Sequence, residues 1–112
     1  MRRTRLLGGF VFGALLSFGI ALFAQSTHPS EDFKKYCAKC HGDDGKAQTQ
    51  RGKSLDARDF TDPDFQKDQT DAQMIEAVTD GKDDMPPFGK KLTKEQIESL
   101  VKFDVRGFAP KK

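Results

Sequence analysis

The chain has 112 residues, which limits it to a single domain. It carries 19 basic and 17 acidic residues, but Arg2, Arg3 and Arg5 precede Ala24 while every acid follows it, leaving 16 basic against 17 acidic groups and a formal charge of −1. That balance excludes the basic footprint of a nucleic-acid binder, and the few large aliphatics among the remaining ~88 residues predict a thin core for independent folding, to which something else should add buried apolar surface.

The three arginines are followed by an uncharged apolar run, Leu6 to Ala24, that ends in "ALFAQS". A charged start with a small-residue exit reads as a secretory signal, residues 1–24, and so predicts export to the periplasm. The run is 19 residues long, enough to cross a bilayer if left uncut, so an N-terminal anchor on the outer face of the inner membrane is the alternative. Residues 25–29 then form a short linker, 30–108 the domain and 109–112 a tail.

Three segments read as helices. In "SEDFKKYCAKCH", Ser30 caps the N-terminus, Glu31 and Asp32 suit the helix dipole, and Phe33, Tyr36, Cys37 and Cys40 share one face. The second helix opens with a Thr70/Gln73 capping box and stops at Gly81, expected as a left-handed cap, with Met74, Ile75 and Val78 as its buried stripe. The third opens with a Thr93/Gln96 box and runs to about Gly107, with Ile97, Leu100, Val101, Val105 and Phe108 in its stripe and Phe103 widening it. Between the first and second, "GDDGKAQTQRGKSLDARDFTDPDFQKDQ" has no sustained period, and a structureless connection of that length is expected to wrap a ligand. No alternating strand pattern occurs, so the fold class is all-α.

"CAKCH", Cys37 to His41, fits CxxCH, the attachment sequence of c-type haem. Cysteines three apart project from one helical turn toward two neighbouring vinyl groups, and His41 follows to reach the iron. A zinc site is disfavoured, because only His28 remains as a fourth ligand and adjacent Cys40 and His41 are poorly disposed around one small ion. A thioredoxin-type CxxC lacks its βαβ context, and a disulfide closing so short a loop contributes little. A methionine on the stiff loop "KDDMPPFG", Met85, also needs something to touch.

Taken together, "CAKCHGDDGK", "MPPF" 44 residues after His41, and "LTKEQIESLVKFDVRGF" resemble a small class I, single-haem cytochrome c of bacterial type over roughly residues 30–108. The resemblance implies three main helices with long loops around one covalently attached haem, the first and last helices crossing so that Phe33 and Tyr36 meet Leu100, Val101 and Phe103. It implies His41 and Met85 as axial iron ligands, with Pro86 and Pro87 stiffening the methionine loop and Met74 as core filling. Many members carry a proline soon after CxxCH whose carbonyl accepts the histidine ring N–H. "RGKSL" has none, so another carbonyl is expected to orient His41.

Phe60, Phe65 and Phe88 are expected as pocket walls. Arg51, Lys53 and Arg58 either neutralise haem propionates or are simply solvated, and Lys39, Lys82, Lys90 and Lys91 either steer an acidic partner or are ordinary surface lysines. Asp59, Asp62, Asp64 and Asp68 match no EF-hand spacing and read as a solvated loop.

With His and Met both bound, no position is left for substrate, so the expected function is one-electron transfer rather than catalysis. The chain is expected as a monomer that shuttles between redox partner proteins. The alternatives are a subunit tethered to a dehydrogenase or oxidase, and a haem enzyme or gas sensor with an open sixth site.

Overall fold

The computed structural model describes residues 8, 9, 11–15, 17–20 and 28–111. The expected signal or anchor at 1–24 lies partly outside these residues, and no helix among those described is long and apolar enough to cross a membrane. Val11, Phe12, Leu15, Phe18 and Ile20 are exposed.

Among the described residues from 30 onward the chain is helical with no named strand, as expected for an all-α fold. The first helical segment is two pieces, α1 (Glu31–Tyr36) and α2 (Ala38–His41). They meet at Cys37, whose φ of −115° departs from helical geometry. Ser30 caps α1 by accepting the Phe33 N–H at 3.2 Å.

The connection expected to be structureless contains two short helices, α3 (Gln50–Ser54) and α4 (Pro63–Asp68). Each has an ordinary start signal: Thr49 accepts from the Gly52 N–H, and Asp62 accepts from Asp64 with Pro63 in the first turn. At five and six residues, neither spans enough turns to show a period. Asp62 thus serves as a cap, and Asp59 closes a turn by accepting from both the N–H and hydroxyl of Thr61.

Helix α5 (Asp71–Asp80) has the expected Thr70/Gln73 box, and α6 (Lys94–Ser99) the expected Thr93/Gln96 box. Gly81 ends α5 at φ 79° and ψ 163°, so the expected left-handed cap is corrected to an extended positive-φ conformation that is still essentially reserved for glycine. Beyond α6 the helix widens into a π-helical segment, Leu100–Val105, and tightens into a 3-10 turn, Arg106–Phe108.

The core joins Phe33 of α1 to Ile97, Leu100, Val101 and Val105 of the C-terminal run, with Tyr36 and Phe108 packed against them. Phe103 is a correction: it is 59% exposed. Ile97, Leu100, Val101, Asp104, Val105 and Phe108 follow the three-and-four spacing of one face, and Phe103 falls off it. The buried place goes instead to Asp104, 2% exposed. Arg106 ties this run to the middle of the chain by donating to Asp71 at 2.7 Å, to the Gln69 carbonyl at 2.7 Å and to Gln66.

Candidate haem site

The turn of chain from Cys37 to His41 is held from both ends. The His41 N–H donates to the Cys37 carbonyl at 3.0 Å, and the Thr49 hydroxyl donates to the Cys40 carbonyl at 2.8 Å. Helix α3 approaches so closely that a Cβ on the buried Gly52 would collide with the Cys40 and Ala47 carbonyl oxygens. Both thiols are free and half-buried, and both border the same cavity as His41. Burial, followed by the charge of Asp104, pushes the Cys37 thiol up to about 12. It is therefore neutral at physiological pH, a state that suits conversion to an uncharged thioether and opposes thiolate binding of zinc.

The His41 ring is buried and stacks on Phe60, with centroids 4.2 Å apart and planes at 17°. Its Nδ1–H donates to the Arg58 carbonyl at 3.0 Å. A carbonyl can only accept, so this bond fixes the tautomer and leaves Nε2 with the free lone pair. Burial pushes the His41 pKa below its usual value, partly offset by that hydrogen bond, so the neutral, ligating form is favoured. The Arg58 carbonyl is the acceptor that the missing proline left open.

The cavity has a volume of about 440 Å³, within the usual range for cofactor sites. Phe60, Phe65, Met74, Ala77, Val78, Phe88 and Val105 supply apolar wall, so the three expected aromatic walls all line it. Tyr36 meets Phe88 edge-on at 6.2 Å, joining α1 to the loop that carries Met85. Met85 lines the cavity beside Pro86. Its position is fixed by reciprocal backbone bonds with Lys82, at 2.8 and 3.1 Å, and by Phe88 and Gly89 N–H groups donating to the Val78 and Thr79 carbonyls. Gly81 lies so close beneath this loop that a Cβ would stand 2.8 Å from the Met85 carbonyl oxygen.

Among the cations, Lys39, Arg51, Arg58, Lys82 and Lys91 border the cavity, and Lys53 and Lys90 do not. Arg58 lies over the Phe65 ring at 5.3 Å and Lys91 over Phe88 at 5.8 Å. Met74 is both core filler and cavity wall. His28, the fourth zinc ligand weighed from sequence, is engaged elsewhere: its Nε2 bonds the Asp104 carbonyl at 3.1 Å and its ring meets Phe108 at 4.4 Å. Among the described residues no three His, Cys, Asp or Glu side chains converge on a metal ion. Two thiols one turn apart, an imidazole of fixed tautomer, a thioether, apolar walls and a rim of mixed charge, with Asp56, Asp83 and Asp84 beside the cations, together fit a covalently attached haem.

Sequence reasoning missed Leu55, Ala77 and the Arg58 carbonyl as parts of this site. Only the Arg58 side chain had a signal in the sequence, and it pointed to a different role.

The family described as "Cytochrome C oxidase, cbb3-type, subunit III" matches residues 24–103. A cytochrome c6 from Rippkaea orientalis (strain PCC 8801 / RF-1) is 36% identical over 94 residues, 84% of this chain and 81% of the relative. The solved KustC0563 c-type cytochrome superposes with a TM-score of 0.65 at 39% identity, covering 70% of this chain and 93% of its own. A tyrosine-to-phenylalanine variant of that protein gives a TM-score of 0.63 at 42% identity, covering 68% and 92%. The chain belongs to the cbb3-type cytochrome c family that matches it, as a small c-type cytochrome with a covalent haem.

Proposed function

We propose that the protein is a one-electron carrier in which Cys37 and Cys40 would hold the haem through thioethers, with His41 Nε2 and the Met85 sulfur as the ligands that would bind its iron. The observation that carries this reading is the placement of Met85, on a cross-bonded and proline-flanked turn, in the same cavity as a histidine whose Nε2 is left free. Bound there, the haem supplies reversible Fe(III)/Fe(II) chemistry, and a soft thioether ligand favours the ferrous form and a higher potential. The protein's own residues line the cavity with apolar walls and orient the imidazole, and Met85 bound to the iron would leave no position for substrate, which favours transfer without catalysis. Arg51 and Arg58 border the cavity and would neutralise propionates, and Lys39, Lys82 and Lys91, also on its border, would steer an acidic redox partner over a Debye length of ~8 Å. Removal of residues 1–24 would release residues 25–112, with the domain at 30–108, as a monomeric periplasmic shuttle.

Absorption spectra of the purified protein in both redox states test this. The expected result is a haem that resists extraction after denaturation and a ferric sulfur-to-iron charge-transfer band that disappears in Met85→Ala. Carbon monoxide binding to the reduced wild type at neutral pH would support an open sixth site instead.

A second reading, a tethered subunit of an oxidase, is favoured by the description of the matching family and by the apolar run from Leu6 to Ala24. The mass of the mature N-terminus separates the two, because retention of that run excludes free diffusion.

A further inference from the structure

Every polar atom of the Gln66 amide, on α4, is engaged. Its Nε2 donates to the Phe60 carbonyl at 2.7 Å and to the Val105 carbonyl at 2.8 Å, while its Oε1 accepts from Arg106 at 3.1 Å. Carbonyls only accept and a guanidinium only donates, so these partners fix which way the amide faces. Gln66 does not itself border the cavity, but both residues that it brackets do. One side chain thereby ties the wall supplied by the middle of the chain to the wall supplied by the C-terminal run.

Of these two walls, Phe60 is the one laid against the histidine. Its ring covers a face of His41, with centroids 4.2 Å apart and planes at 17°, and Phe60 is only 7% exposed. Two residues earlier, the Arg58 carbonyl accepts from His41 Nδ1 at 3.0 Å. A single stretch of chain thus holds the imidazole by an edge and by a face, and a shift of the Phe60 backbone moves both holds together. A hydrogen bond along the edge leaves the ring able to swing about that bond, whereas a flat neighbour against its face removes the freedom. Phe65, next to Gln66 in sequence, meets the Phe60 ring at 5.4 Å, so α4 braces the Phe60 ring as well as its carbonyl.

We propose that Gln66 is a positioning residue for the axial histidine: by bracketing the Phe60 and Val105 carbonyls it holds the Phe60 ring flat against His41, and so fixes the plane in which the imidazole meets the haem. The inference rests on the haem reading of the site. Gln66 acts through Phe60, and Phe60 acts through His41. The orientation of a ligating ring tunes the metal, and in a ferric low-spin haem the unpaired spin follows the planes of the axial ligands. The imidazole plane is therefore recorded in the paramagnetically shifted resonances of the haem ring methyls.

Proton NMR of the ferric, haem-loaded protein tests this on Gln66→Met, Gln66→Glu and Phe60→Leu, with Ile97→Val as the control. Methionine and glutamate keep the reach of the side chain, but neither donates to the two carbonyls, and leucine keeps an apolar wall without a flat face. All three variants are expected to move the ring-methyl resonances from their wild-type positions. If one Gln66 variant fails to accumulate, the other gives the reading. Ile97→Val trims the core that contains Phe33 without bordering the cavity, and is expected to lower the melting temperature while leaving these resonances in place. Wild-type resonances in either Gln66 variant or in Phe60→Leu overturn the proposal, whatever the melting temperature, and so does an equal displacement in Ile97→Val. Absence of covalent haem or of the charge-transfer band from the wild type would instead overturn the reading of the site.

Discussion

The His41 ring N–H is held at 3.0 Å by the carbonyl of Arg58, 17 positions along the chain. That carbonyl belongs to a strap pinned on both sides, by the Ala57 N–H donating to the Gly52 carbonyl and the Phe60 N–H donating to the Gly45 carbonyl, each at 2.8 Å. The strap supplies through hydrogen bonds the rigidity that a proline would supply covalently.

Ala57→Pro should therefore undo it. Proline removes the N–H that reaches Gly52 and drives the preceding residue to extended geometry, whereas Asp56 has φ 53°. The expected cost is about 3 kcal/mol or more, read by chemical denaturation, with faster exchange of the His41 Nδ1 proton by NMR. Asp56→Gly, which accepts positive φ without strain, should change stability by no more than about 1 kcal/mol.

The two methionines of the cavity should separate cleanly. Met85→Ala is expected to abolish the ferric charge-transfer band, admit carbon monoxide to the reduced protein and lower the potential. Met74→Ala is expected to keep the band and instead cost about 2–5 kcal/mol, as a truncation of a buried side chain. Absorption spectra and denaturation curves of both variants decide the assignment.

Gly81→Ala combines a φ of 79° with a Cβ placed 2.8 Å from the Met85 carbonyl oxygen. Strain alone should cost roughly 1–3 kcal/mol, and because the collision is with the backbone of the methionine turn, the charge-transfer band should weaken as well. Full intensity with an unchanged melting temperature would count against the close approach.

The pH response of the haem-free chain follows from two shifted groups. The Cys37 thiol is pushed from 9.0 up to about 12, so between these values the folded chain keeps a proton that the unfolded chain has lost. Folded stability is then fully present below pH 9 and falls as pH rises through that window, by at most about 1.4 kcal/mol per unit. His41 is shifted the other way, below 6.5, so the unfolded chain binds the extra proton and stability falls as the medium is acidified below that value. Urea titrations across pH test both limbs. Haem attachment, by consuming the thiol, should erase the alkaline one.

The parts legible in the sequence were those in which chemistry is local. Thr70/Gln73 and Thr93/Gln96 specify their caps within four residues, and Cys37, Cys40 and His41 declare their chemistry through spacing. Helices α3 and α4 were obscured because five or six residues cannot display a period, although Thr49 and the Asp62-Pro63 pair announced their starts. The Arg58 carbonyl was invisible because every residue offers the same backbone acceptor, and only the path of the chain selects one. Asp104 was passed over as one more charge, since its burial depends on Ser30, 74 positions away. Phe103 went wrong through counting aromatics where angular position on the helix decides.

His28 and Phe108 touch at 4.4 Å, and Gly107 lies directly under the His28 ring. The two ends of the domain therefore leave from one pole. A reporter or second redox module fused upstream or downstream would hang from the same corner, and a short bridge between the two ends should permit circular permutation with new termini cut elsewhere.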